Sequence, residues 1–155
     1  MAKYFFWGVI AAAGALVAES LFFAIANSAT AYLPQYETLL ACAVPATFEE
    51  FLKSLFIKKT REENAATDKT YFTKIALIGL GFALIELLLN AFNKPLPELF
   101  FYYALGGIFI HLATALLTGF ILLNTFHIRK FPTFISAIPA IILHLAYNLL
   151  IVYFF

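Results

Sequence analysis

Residues 71–92 read YFTKIALIGLGFALIELLLNAF. Between Lys74 and Glu86 every residue is apolar or glycine. A helix crosses a hydrocarbon core of about 30 Å in roughly 20 residues, at about 1.5 Å each. The stretch is therefore long enough to span a bilayer. It shows no alternation of polar and apolar positions of the barrel type. Inside lipid only a helix then satisfies its backbone.

The rest of the chain agrees. Of 155 residues, 63% are hydrophobic and 12% charged, and the mean hydropathy is +0.90. Soluble domains hold about 45–50% apolar and about 25% charged residues. A soluble fold of this length could not hide so much apolar surface, so the excess must face lipid. Four more stretches match the first, giving spans at approximately Tyr4–Asn27, Glu37–Ile57, Tyr71–Phe92, Glu98–Asn124 and Phe134–Phe155. Pro34, the charges from Lys58 to Lys69, Pro95 with Pro97, and Pro132 punctuate the gaps. The expected fold is all-α, a polytopic transmembrane helical bundle of about five spans forming one domain over 1–155.

The first span also invites comparison with a signal peptide, since Lys3 precedes an apolar run. That run is too long for a signal core, and Glu19 interrupts it. With one cysteine, Cys42, no internal disulfide can form. The net charge of +1 says nothing about partners, but its distribution does. With five spans, one side holds Lys3, Lys58, Lys59, Arg61, Lys69, Lys74, Arg129 and Lys130, and the other only Lys94. By the positive-inside rule the N-terminus is expected in the cytoplasm and the C-terminus outside the cell membrane.

Glu86 is a charge deep in its span, and it has company. Glu19, Glu49, Glu50, Lys53, His111 and His144 also fall within the spans. Each costs a few kcal/mol or more at mid-bilayer, so together they read as a polar interior site. Glu49 and Lys53 are four apart and can pair. The same spacing links Glu86 with Asn90 and His144 with Asn148, while Thr114 and Thr118 continue the face of His111. Counting residues puts Glu49 about 13 Å deep, His144 about 17 Å, and Glu86 and His111 about 20 Å. Helix tilt can close such gaps. Four helices thus deliver acids and imidazoles to one layer.

Blander readings apply elsewhere. Glu19 reads as a packing residue bonded to Ser20 or Lys53, and Lys53 as snorkelling or pairing with Glu49 or Glu50. A lone membrane histidine is often only an interhelical donor. The glycines of Gly79-x-Gly81 and Gly106-Gly107 read as points of close helix approach, not phosphate loops. The 58–64 loop reads as a solvated helix end, with no nucleic-acid site.

In order, the polar elements are Glu49-Glu50-Phe51-Leu52-Lys53, Gly81-Phe82-Ala83-Leu84-Ile85-Glu86, His111 with Thr114 and Gly119, and His144-Leu145-Ala146-Tyr147-Asn148. Over about 47–148 this pattern resembles the PrsW family of intramembrane peptidases, with its EExxK motif, its GFxxxE-type motif and two later histidines. That family belongs with the CAAX prenyl-peptidase and bacteriocin-processing superfamily. Glu86 stands where the prenyl-peptidase pattern has histidine, and Lys53 where that pattern has arginine one step further. Both choices match PrsW.

The resemblance implies a protease that cuts a peptide bond in or next to a transmembrane segment. Its substrate would be a single-span membrane protein of the anti-sigma-factor kind. Glu49 or Glu50 would be the general base, and His144 with Asn148 would donate to the oxyanion. Glu86 and His111 would position the water or hold a metal. The negative excess needs protons or a cation to balance it. A divalent ion with mixed imidazole and carboxylate ligands suits zinc, with Glu86, His111 and His144 as the expected ligands. A metal-free mechanism based on glutamate is the other option. Two functions of different class remain: a non-catalytic membrane scaffold, and a proton-coupled transporter using the same acids and imidazoles as a relay.

Overall fold

The computed structural model describes residues 1–26, 37–63, 70–92, 104–125 and 131–154. Five long helices account for them: α1 (Ala2–Ala26), α2 (Glu37–Glu63), α3 (Tyr71–Ala91), α4 (Gly107–Thr125) and α5 (Pro132–Phe154). No strand occurs among the described residues. Helix α2 runs about two turns past the expected Ile57, carrying the charged end of the span out to Glu63. A wider, π-type turn over 104–106 leads into α4. The first residues of that expected span, 98–103, lie outside the described residues, as do Lys69, Lys94, Arg129 and Lys130.

Burial is inverted relative to a soluble protein. Glu50, Lys53, Ser54, His111, Thr114 and Ser136 are wholly buried, while Phe6, Val17, Leu21, Ile25, Phe109 and Phe154 are exposed. In water this partition would be costly on both sides. With hydrocarbon outside, it is the favourable one. Among the described residues four helices are long and apolar enough to cross a membrane. Helix α2 carries Glu49, Glu50 and Lys53 along its length, and the bundle hides them. The chain is a multi-pass protein embedded in a membrane.

Two apolar clusters flank the polar centre. One gathers Tyr4, Ile57, Tyr71, Ile75, Ile78, Ala115 and Leu122. The other joins Ala11, Ala12 and Ala15 of α1 to Phe82 of α3. Between them α1 and α3 touch backbone to backbone. A Cβ at Gly8 would strike the Ile78 carbonyl oxygen, and one at Gly81 the carbonyl oxygen of Phe5. Small residues permit this approach, which holds helices together where lipid removes any hydrophobic drive between them. The Gly106-Gly107 pair departs from the expectation of close approach at its second member. A Cβ at Gly107 would meet nothing within 4 Å, because that glycine borders a cavity instead.

Candidate active site

Helix α2 supplies the first two groups. Glu50 and Lys53, three residues apart, face inward one turn from each other, and the Lys53 ammonium donates to Glu50 Oε1 at 2.7 Å. Sequence spacing left Glu49 and Glu50 both open as partners of Lys53. Positions three and four apart are both neighbours on a helix, so only the rotation of α2 in the bundle decides between them. That rotation turns Glu50 and Lys53 fully into the interior, while Glu49 stays partly exposed.

Helix α4 meets this pair with His111 and Thr114. Lys53 Nζ donates to Thr114 Oγ1 at 3.1 Å and lies 3.1 Å from His111 Nδ1. The Thr114 hydroxyl in turn donates to Glu50 Oε1 at 3.0 Å. The ring of Phe82 on α3 covers the ammonium at 4.6 Å, a cation–π contact that offsets part of the cost of burial. From the same helix, Glu86 hydrogen-bonds His111 Nε2. These partners select a tautomer for His111. Nδ1 accepts from the ammonium and Nε2–H donates to the carboxylate.

Helix α5 closes the group with His144. Its Nδ1 donates to Glu50 Oε1 at 2.8 Å and lies 3.6 Å from Glu49 Oε2. Its ring stands edge-on to that of His111, with centroids 5.0 Å apart. Because Nδ1 carries the proton, the electron pair of Nε2 is available to a ligand. Glu50 Oε1 therefore gathers an ammonium, a hydroxyl and an imidazole from three helices.

Glu49, Glu50, Glu86, His111 and His144 thus come together, although residue counting spread them over several ångströms of depth. Asn148 stands beside the network. Its amide donates to the Cys42 carbonyl oxygen at 3.4 Å. It lines a cavity of about 170 Å³ with Glu86, Tyr147 and Gly107. Pro45 has no N–H for the Ala41 carbonyl, and Ala41 and Cys42 form the α2 wall of that cavity.

Two participants escaped the sequence reading. Thr114 was taken only as part of the His111 face, yet it bridges Glu50 and Lys53. Glu19, read as a packing residue, has neither of its expected partners. Ser20 instead donates to the Leu16 carbonyl, and Glu19 lines a second cavity with Glu49 and Glu86. The available signal was a carboxylate inside an apolar span with alanines one and two turns before it.

The donor chemistry also bears on a metal. The expected ligands were Glu86, His111 and His144. The group whose ligand atoms converge, all within 4.8 Å of one another, is Glu49, His111 and His144. Glu49 Oε2 is buried without a hydrogen bond, and His144 Nε2 has a free electron pair. Two imidazoles and a carboxylate are a donor set that fits zinc with an open fourth position. A metal at His111 would bind Nδ1 in place of the Lys53 ammonium, while Glu86 takes the outer place and holds the ring through Nε2.

The described helices form a multi-helix membrane bundle whose interior holds carboxylates, imidazoles and one ammonium, bordered by polar cavities. The chain belongs to the PrsW family: residues 1–154 match the family described as PrsW family intramembrane metalloprotease. No curated protein and no solved structure matches the chain. Membership covers nearly the whole chain, including α1 and Glu19, beyond the 47–148 region in which the motifs lie. It makes the protein a member of an intramembrane protease family.

Proposed function

We propose that this chain is an intramembrane endopeptidase. It hydrolyses a peptide bond in or next to the transmembrane segment of a single-span membrane protein, of the anti-sigma-factor class. One observation carries the reading. Four helices contribute to a single buried hydrogen-bonded group in which Glu50 is committed to Lys53, Thr114 and His144, while Glu49 and Glu86 border open space. A structural network would satisfy its members and exclude cavities. This one leaves carboxylates facing places that a peptide and a water can reach.

The roles divide accordingly. Glu86 is the more accessible carboxylate. In place of Glu49 or Glu50, the bases the resemblance implied, it takes the proton as the water oxygen adds to the carbonyl carbon. It then returns that proton to the departing amide nitrogen. Asn148, across the cavity of about 170 Å³ from Glu86, donates to the developing oxyanion. Glu50 keeps His144 in the tautomer with Nε2 free. Lys53 balances one of the buried negative charges. Glu49, His111 and His144 would hold a zinc ion, which when bound polarises the scissile carbonyl and acidifies water. The protein sits in the cell membrane with its N-terminus in the cytoplasm and its C-terminus outside, a placement supported by the lysines and arginines at one end.

Cleavage of a co-reconstituted single-span protein, measured beside thermal stability, tests this reading. Glu49→Gln, Glu86→Gln and His144→Ala should each lower the rate by about 10²-fold or more. Each variant should stay folded, with Glu49→Gln costing least because its Oε2 accepts no hydrogen bond from the protein. Full activity in two of the three would sink the peptidase, and unfolding in all three would mark a structural network.

Elemental analysis of gently purified protein decides the metal question. Near-stoichiometric zinc should be present in the wild type and lost in His111→Ala and His144→Ala. A metal-free wild type that cleaves in the presence of chelators would leave the carboxylates to act alone.

A further inference from the structure

Helices α1 and α3 touch at Gly8 and Gly81 and run side by side toward their C-terminal ends. Beyond the contact, the space between them and α2 is a cavity of about 220 Å³. Its inner wall is made of buried residues, Ala12 and Ala15 on α1 and Phe82 on α3. Its outer limit reaches Asn90, next to the last residue of α3. Polar groups come from all three helices: Glu19, Glu49, and Glu86 with Asn90.

Two carboxylate oxygens on these walls, Glu19 Oε1 and Glu49 Oε2, are wholly buried and accept no hydrogen bond from the protein. Such oxygens are costly in a dry environment. A cavity fills with water when it is polar, offers two to four partners per molecule and exceeds the size of one water, whose share of the liquid is about 30 Å³. This cavity meets all three conditions with room for several molecules. The adjoining region, around Ala115, Ile78 and Ile75, is apolar and close-packed and meets none.

We propose that this cavity is the aqueous vestibule of the site. Water comes through it from the end of the bundle where α1 and α3 finish, and Glu19 is the positioning residue that holds that water in reach of Glu49 and Glu86. The end in question is the one opposite Lys3, Lys59 and Lys74. Among the described residues no lysine, arginine or histidine lines the cavity, and its carboxylates favour cations over anions. The use of this water in hydrolysis rests on the function proposed above, but the existence of the vestibule does not.

Thiol labelling tests it without requiring catalysis. Cys42→Ala removes the chain's single cysteine, and Ala15→Cys or Ala12→Cys then places a thiol on the inner wall. The probes are a small trimethylammonium methanethiosulfonate and its sulfonate counterpart, applied to folded protein in sealed vesicles. Both cysteines should react from the side on which α1 ends, at least tenfold faster with the cationic reagent. Ala115→Cys, equally buried but in the dry core, should stay unlabelled. Adding Glu19→Leu should slow labelling at Ala15→Cys at least fivefold, and Glu19→Gln, which still bonds water, should restore the rate. In a cleavage assay Glu19→Leu should lower kcat with little change in KM, and Glu19→Gln should again recover activity.

Two silent wall cysteines in folded protein, or a rate no higher for the cationic reagent, would overturn the vestibule. Equal effects of Glu19→Leu and Glu19→Gln would remove Glu19 from it. An inactive protein that labels as expected would refute the peptidase and leave the vestibule standing.

Discussion

The contact of α1 with α3 and the meeting of α2, α4 and α5 solve the same problem in opposite ways. Lipid chains are as apolar as leucine, so burying apolar side chains between helices gains little over leaving them in the bilayer. The α1–α3 seam answers with glycine, letting backbones touch at Gly8 and Gly81. The α2–α4–α5 meeting answers with polar groups, Glu50 and Lys53 bonded to Thr114 and His144. Close packing needs no desolvation of charge and is the inexpensive device for stability. A buried ionic network carries a desolvation cost that a well-packed apolar group of equal volume avoids. Finding the costly device where the inexpensive one would serve is a reason to assign the network to chemistry and the seam to architecture.

The largest effect should come from breaking the network on one side only. Glu50→Leu leaves the Lys53 ammonium buried without its carboxylate, a loss of roughly 3–5 kcal/mol. The double variant Glu50→Leu with Lys53→Met should recover most of that stability in a thermal or SDS titration while remaining inactive. A double variant as unstable as the single one would show that the network is needed to hold the bundle together.

Breaking the seam comes next. Gly81→Leu drives a side chain into the Phe5 carbonyl and should cost about 1–3 kcal/mol, read in the same titration. Loss of stability beyond Glu50→Leu would reverse the ranking of the two regions.

The smallest effect sharpens the comparison from outside both regions. Tyr71 donates its hydroxyl to the Gly119 carbonyl at 3.2 Å, linking α3 to α4. Membrane hydrogen bonds of this kind average about 0.6 kcal/mol, so Tyr71→Phe should lower stability by about that amount and leave cleavage unaltered. A larger loss would mean that single polar contacts in this bundle matter more than the packing around them.

Much of this could be read from the chain itself. Composition and the lengths of the apolar runs determined a helical membrane protein of about five spans, because the hydrocarbon thickness sets the length of a helix and the backbone has no other way to satisfy itself there. The residues Glu49, Glu50, Lys53, Glu86, His111 and His144 stood out because charge in lipid is expensive, and their order led to the PrsW family. Tertiary structure alone decided the pairings. Spacing leaves Glu50 and Glu49, three and four residues before Lys53, equivalent, and only the rotation of α2 against α4 turned Glu50 to it in place of Glu49. Counting residues gives depth along one helix, but says nothing of which way a side chain points around the axis. Glu49 therefore joined His111 and His144 at the candidate metal position, with Glu86 behind His111. Glu19 came to line a cavity with Glu49 and Glu86 for the same reason: the seam at Gly8 and Gly81 aligns α1 on α3, and the sequence of α1 does not say which helix its small residues meet.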